Sequence, residues 1–243
     1  MKRHIIILAA AVIAVCLAAC GNDPTNTYEY IDMGAAGQWA AMNVGANKAS
    51  DPGKYFAWGE VESKSQYDWA TYTHCDGDDW LKMTKYVIND HSTGASWYDG
   101  TTFKGDGKTI LESGDDAATQ LWGKKWRTPT RKDWEALMNK ENYAWKWTNK
   151  DGTPGVEVTS LKGNTAGNTI FLPATGSYTN NTVSFQTSSG FYWSAEVGVA
   201  GGTGSYTFED ATAQAWAIYI SQDAQSLLQL PRSNGVPVRA IRK

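Results

Sequence analysis

Trp126-Arg127-Thr128-Pro129-Thr130-Arg131-Lys132-Asp133-Trp134-Glu135-Ala136-Leu137-Met138 is the stretch whose reading sets the fold class. A helix follows Pro129. Thr130 is its cap, Asp133 three residues on completes a capping-box arrangement, and Trp134, Leu137 and Met138 share one face. The helix frays near Asn142. Upstream, a shorter helix starts near Asp115-Asp116, whose carboxylates can cap free N–H groups, and runs through Ala117–Trp122 to a stop at Gly123. Strand patterns lie outside these helices. Tyr28–Met33 and Gln38–Val44 are split by Gly34-Ala35-Ala36-Gly37, and Tyr55–Glu60 is a short aromatic strand. Downstream come Val156–Val158, Thr169–Pro173, Phe191–Ser194, Ala215–Ile220, Leu227–Leu230 and Val236–Arg242. Trp216, Ile218 and Ile220 alternate with Ala217 and Tyr219, as a half-buried strand requires. Residues 61–110, rich in Asp, Gly, Thr and aromatics, read as long loops. No repeat and no second composition regime appears, so residues 28–243 form a single α+β domain.

The N-terminus has a different character. Lys2 and Arg3 precede an unbroken apolar or small run from Ile5 to Ala19, shorter than the roughly 20 residues a membrane span needs. It reads as an export signal, residues 1–19, with Ala18-Ala19 at the cut. Leu17-Ala18-Ala19-Cys20 resembles a bacterial lipobox, which implies diacylglycerol on the Cys20 thiol and an outer-membrane anchor. An ordinary signal peptide or an uncleaved anchor is the alternative. Residues 20–27 read as a flexible tether. The cell surface is the favoured face, although Gly21-Asn22-Asp23 lacks the acidic run of a strong surface-export tag, and the periplasmic face is the alternative.

Of the 22 basic residues, Lys2 and Arg3 leave with the signal, so 25 acidic residues face 20 basic ones and the formal charge goes from -3 to -5. There is no basic stripe, and nucleic acid is excluded as a partner. Cys16 leaves too and Cys20 is lipidated, so Cys75 has no internal disulfide partner. Twelve Trp, twelve Tyr and 24 Gly favour short strands and tight turns over a helical bundle.

Seven ordered blocks carry a family resemblance. They are Gln38-Trp39-Ala40 with Asn43–Ala46; Gly53–Glu60; Asp115–Ala118; Trp126–Thr130 with Trp134-Glu135 and Leu137; Ile170–Ala174 with Gly176; Gly190–Ser194; and Gly235–Arg239. Together they resemble the Fibrobacter succinogenes major paralogous domain, common in lipoproteins of Bacteroides-like bacteria. The resemblance implies a C-type lectin-like fold, in the branch that includes formylglycine-generating enzymes, with first and last strands paired and long loops carrying any binding surface. Some lectin-like relatives diversify C-terminal surfaces by retroelements; the corresponding stretch here runs from Trp193 to Arg232. The matched residues have architectural readings. Arg127 stacks on an indole or ties down loop carbonyls, Asp115 and Asp116 cap, and Gly59, Gly176 and Gly190 take special backbone angles.

Catalytic motifs are missing from the sequence. Formylglycine-generating enzymes need a late pair of reactive cysteines, and none follows Cys75. No HExxH, CxxC or Gly-x-Ser-x-Gly occurs. Gly107-Lys108-Thr109 lacks the upstream Gly of a phosphate loop, since position 102 is Thr, and reads as a turn. His74, Cys75, Asp76, Asp78, Asp79 and His91 mix metal-ligand types, but their spacing matches no known site. Asp76-Gly77-Asp78-Asp79 lacks the order of an EF-hand loop, and neither Glu-Pro-Asn nor Gln-Pro-Asp is present. Neither a metal nor a cofactor is expected.

The aromatics divide by position. Trp39, Trp58, Trp126, Trp134, Trp193 and Trp216 lie in strand, helix or motif positions and read as core. Trp80, Trp97, Tyr98, Tyr178 and Tyr206 lie in loops, and Trp97, Tyr98, Tyr178 and Tyr206 are the candidate ligand-binding residues, because flat apolar rings match C–H-rich sugar faces. The expected function is a monomeric, non-catalytic binding domain for a glycan, peptide or protein, with loops 198–209 and 180–189 making contact, helped by 76–106. The alternatives are a structural subunit of a surface appendage, joined by strand pairing, and a hydrolase, which would require two carboxylates lining one cleft.

Overall fold

A computed structural model describes residues 28–90, 94–199 and 211–243. The signal, Cys20, the tether, His91, Tyr206 and most of loop 198–209 lie outside the described residues. Among the described residues no helix is long and apolar enough to cross a membrane.

The chain opens with β1 (Tyr30–Asp32), β2 (Gln38–Ala40) and β3 (Tyr55–Phe56). Residues 61–110 then run through single 3₁₀ turns at Trp69–Thr71 and Trp80–Lys82 to a hairpin of β4 (Tyr98–Asp99) and β5 (Thr102–Phe103). Next come α1 (Ala117–Trp122), β6 (Trp126–Arg127) and α2 (Arg131–Leu137). Apart from single 3₁₀ turns at Gly163–Thr165 and Ala211–Ala213, the elements described in the second half are strands: β7 (Tyr143–Lys150), β8 (Thr153–Ser160), β9 (Thr169–Pro173), β10 (Ser177–Thr179), β11 (Thr182–Ser184), β12 (Ser189–Val197), β13 (Gln214–Ser221), β14 (Gln225–Pro231), β15 (Val236–Pro237) and β16 (Ile241–Arg242). All strand pairings are antiparallel, and the architecture is α+β.

Three sheets carry the core: β7-β8-β9, β12-β13-β14 and β1-β2-β16-β6. The last of these corrects the expected pairing of first and last strands. β16 bonds to β2, with Ile241 opposite Trp39, and to β6; β1 joins only through β2. The tight turn at Gly34–Ala36 folds β2 directly back on β1, which leaves the far edge of β2 for the C-terminus.

Both helices are built by their caps. The Thr130 hydroxyl accepts from Asp133 N, and the Asp133 carboxylate accepts from Thr130 N at 2.7 Å. This puts Trp134 and Leu137 inward, against Trp39 and Tyr192. Asp116 caps α1 through Ala118 N and also accepts from the backbone and hydroxyl of Thr128, locking α1 to the turn before α2. Asp115 is not a cap, contrary to expectation: its carboxylate turns outward to Lys85 and the Tyr86 hydroxyl. Arg127 pairs with Asp133 at 2.6 Å and donates to the Thr128 carbonyl. Gly59 and Gly176 take left-handed angles, φ 80 and 64. Gly190 does not; a Cβ there would stand 2.8 Å from the Pro173 carbonyl, so close approach is its reason. All six tryptophans assigned to the core are buried.

Candidate functional site

Residues 57–110 have almost no ladder to satisfy their backbone. They form a layer over a core of Ala57, Tyr67, Tyr72, Met83, Val87, Ala95 and Trp97. What fixes that layer is Arg232, a fully buried cation. Its Nε donates to the Tyr72 hydroxyl at 2.9 Å, Nη1 to the carbonyls of Tyr86 and Thr212 at 3.1 Å, and Nη2 to that of Lys85 at 3.0 Å. The guanidinium lies 4.8 Å from the ring centre of Trp58 and 5.3 Å from that of Tyr72. Tyr86 sits at φ 58, a strained angle for a bulky residue, with its N–H bonded to Asp106 and its carbonyl to Arg232. Among the described residues no carboxylate pairs with Arg232; its fork is spent on carbonyls and a phenol.

Of the clefts that open on this layer, one of about 430 Å³ lies over Met83, Val87, Trp97 and Asp106, and two others bear on function. The first, of about 330 Å³, is lined by Glu60, Lys64, Thr73, His74 and Asp115. Glu60 and Asp115 thus meet the condition for reconsidering a hydrolase. Each carboxylate is already engaged, however. Glu60 accepts from Lys64 Nζ at 2.9 Å and Thr73 N at 2.7 Å. Burial works against the charge on Asp115, but hydrogen bonds from Lys85 and Tyr86 outweigh it and hold the carboxyl below its ordinary value. A general acid needs the opposite shift. His74 Nε2 is 2.9 Å from the Gly59 carbonyl, which can only accept, so Nε2 carries the proton. Burial pushes the His74 pKa down and keeps the ring neutral. The cleft holds charges that cancel one another.

The second cleft is a groove of about 230 Å³ where three segments meet: Tyr67–Trp69, Thr179–Asn180 and Pro231–Asn234. Backbone bonds fix its walls. Tyr67 N donates to Asn180 O at 2.7 Å and Asn180 N to Tyr67 O at 2.8 Å. The Trp69–Thr71 turn is held by a capping box between Asp68 and Thr71. The floor turn, Pro231–Asn234, contains Arg232 itself, so the cation that pins the loop layer also pins the groove. Trp69 is half-buried and packs at nearly a right angle to Tyr72, ring centres 5.6 Å apart. Ser233 and Asn234 are only 4% and 7% exposed, yet among the described residues neither side chain has a hydrogen-bond partner. Among the described residues the buried side-chain polar atoms without a partner are Trp97 Nε1, Trp126 Nε1, Arg131 Nε and Trp216 Nε1; the Ser233 hydroxyl and the Asn234 amide are not among them, so their polar atoms reach solvent at the groove and can meet a ligand. Burial works slightly against the charge on Asp68, but hydrogen bonds from Gln66 and Thr71 keep its carboxyl below the ordinary value.

The structure gathers three of the four ligand-binding candidates around one aromatic cluster, but not as an exposed surface. Trp97 is 3% exposed and part of the core, which corrects its assignment as an exposed ring: the loop carrying it folds over Met83 and Val87. Tyr98 is half-buried, meets Phe103 edge-on and donates to Asn89 Oδ1 at 2.7 Å. Tyr178 is half-buried, edge-on to Tyr55 at 5.0 Å and tilted over Tyr67 at 5.3 Å, beside the groove. Tyr206 lies outside the described residues. Trp80, also read as a loop aromatic, packs 6.5 Å from Trp97. Among the described residues no group of three His, Cys, Asp or Glu side chains is placed to hold a metal; Cys75 instead donates to the Asp79 carbonyl.

Trp69, Ser233 and Asn234 escaped the sequence reading, whereas Asn180 opens the contact loop 180–189 that it named. One signal for Asn180 was there: Asn180-Asn181 joins two short alternating runs as a hairpin turn would, and Asn180 takes φ 56. Nothing local marks Ser233 or Asn234, because their environment is made by residues far away in the chain. In comparisons with known proteins, no family model, no curated protein and no solved structure matched this chain.

Proposed function

We propose that this chain is a lipid-anchored envelope protein that displays a non-catalytic binding domain. Membership of the major paralogous domain family and a C-type lectin-like fold belong to the same proposal, as do lipid on Cys20 and an outer-membrane location. The seven ordered blocks support the family reading, and the lipobox supports the anchor. One observation carries the binding reading. The loop layer is pinned by Arg232 and presents a groove in which the Ser233 and Asn234 side chains have no protein partner among the described residues, whereas the charges in the neighbouring cleft are neutralised by one another. Preorganised, unsatisfied groups lower the cost of taking a ligand.

The test is a screen of the full chain in detergent against glycans and envelope proteins, with and without calcium. A specific partner is the expected result. A clean blank from folded protein contradicts the reading and points to the appendage subunit, for which self-association at micromolar concentration is the sign.

A further inference from the structure

We infer that the groove beside Trp69 takes one neutral sugar ring, held without a metal ion. The inference rests on the binding-domain reading and deepens it. Four features converge. Trp69 offers a partly covered indole, an apolar face suited to the C–H face of a pyranose. Ser233 and Asn234 supply a hydroxyl and an amide from the floor, both unpartnered among the described residues. Asn180 adds a second amide from the hairpin wall, at an angle that Asn accepts readily. Amides and hydroxyls both donate and accept, which is what a ring carrying several hydroxyls requires. A polar ligand that left these groups unpaired would forfeit much of its affinity.

Size and charge narrow the class. At about 230 Å³ the groove is smaller than the roughly 300–1,000 Å³ of drug-sized sites, so it holds a single ring with the rest of a chain outside. Among the described residues Asp68 is the only charged one lining it. A lone carboxylate accepts from sugar hydroxyls but repels a uronic or sialic acid, and it falls short of the six to eight oxygens that calcium gathers.

The experiment titrates the full chain, in detergent and in EDTA, with neutral oligosaccharides ending in glucose, galactose, mannose or N-acetylglucosamine, and with their uronic-acid counterparts. Millimolar or tighter binding of a neutral sugar is expected, at least tenfold stronger than that of its acidic counterpart. Asn180→Gly keeps the backbone angle and removes the amide; it should weaken binding about five- to tenfold. Trp69→Ala should abolish it. Because Trp69→Ala also strips packing from Tyr72, the Asn180→Gly result decides if that variant misfolds. Sugar binding indifferent to Asn180→Gly, or dependent on calcium, overturns the assignment. If no sugar binds but an envelope protein is captured, the sugar reading falls and the binding-domain reading stands. If neither binds, both fall.

Discussion

Two fully buried arginines divide this molecule, and they do different work. Arg239 sits between β15 and β16, where its Nε donates to Asn43 Oδ1 at 2.8 Å, Nη1 to Ala40 O at 3.0 Å and Nη2 to Phe171 O at 2.7 Å. Burial pushes its pKa down to about 10, so it stays charged at neutral pH. It ties together elements that already have ladders and tryptophans of their own. Arg232 faces the loop layer, where the carbonyls of Lys85, Tyr86 and Thr212 have no ladder to join. The same side chain is a rivet in one half and the frame in the other. Among the described residues neither has a carboxylate partner, and each stays buried because carbonyls and, for Arg232, the Tyr72 phenol take up its donors. The lesson is that an irregular surface can be made rigid by one cation whose donors are spent on three backbone carbonyls and a phenol.

This contrast can be broken at several points. Arg239→Met strands three buried acceptors and should cost about 3–5 kcal/mol, with the whole domain unfolding in one urea transition of unchanged slope. An early, separate loss of the loops would contradict its assignment to the sheet half. Asp116→Ala removes the α1 cap together with the Thr128 contacts and should cost about 2–3 kcal/mol, again globally. A cost below about 0.5 kcal/mol, the level of a surface substitution, would show that the lock between α1 and α2 is idle.

The smallest effect is one of pH. Folded His74 holds its proton less tightly than in the unfolded chain, so the unfolded state takes up protons first, and stability falls as pH drops below 6.5. Folded Asp115 and Asp133 have lowered pKa values, so their contribution is present above 3.8 and is lost as pH falls below it. Thermal unfolding from pH 7.5 to 3 should therefore show two declines. His74→Gln should flatten the upper one alone. An unaltered upper decline would assign it elsewhere.

Much of the sheet half was legible in the sequence, because its determinants are local. Thr130 with Asp133, Asp116 before Ala117, and the alternation in Ala215–Ile220 each state their structure within a few residues. One clear signal there was missed. Tyr143, Trp145 and Trp147 alternate along β7 and run into the Asp151-Gly152 turn that pairs Lys150 with Thr153, the strongest short-range hairpin pattern. The loop layer was legible only as loops. Its aromatics looked exposed because nothing nearby in sequence could bury them; Arg232 and the Trp58–Tyr86 contact supply that cover from a distance. The groove depends on three segments up to 167 positions apart, from Tyr67 to Asn234, and no window of sequence contains it.

The most direct test of this account is hydrogen exchange on Arg232→Met beside the unaltered chain. The account predicts that amides of residues 61–90 and of the groove walls lose protection, while β7–β9 and β12–β13 keep theirs. Simultaneous loss of protection throughout, or none anywhere, would contradict the claim that one buried cation frames the loop layer.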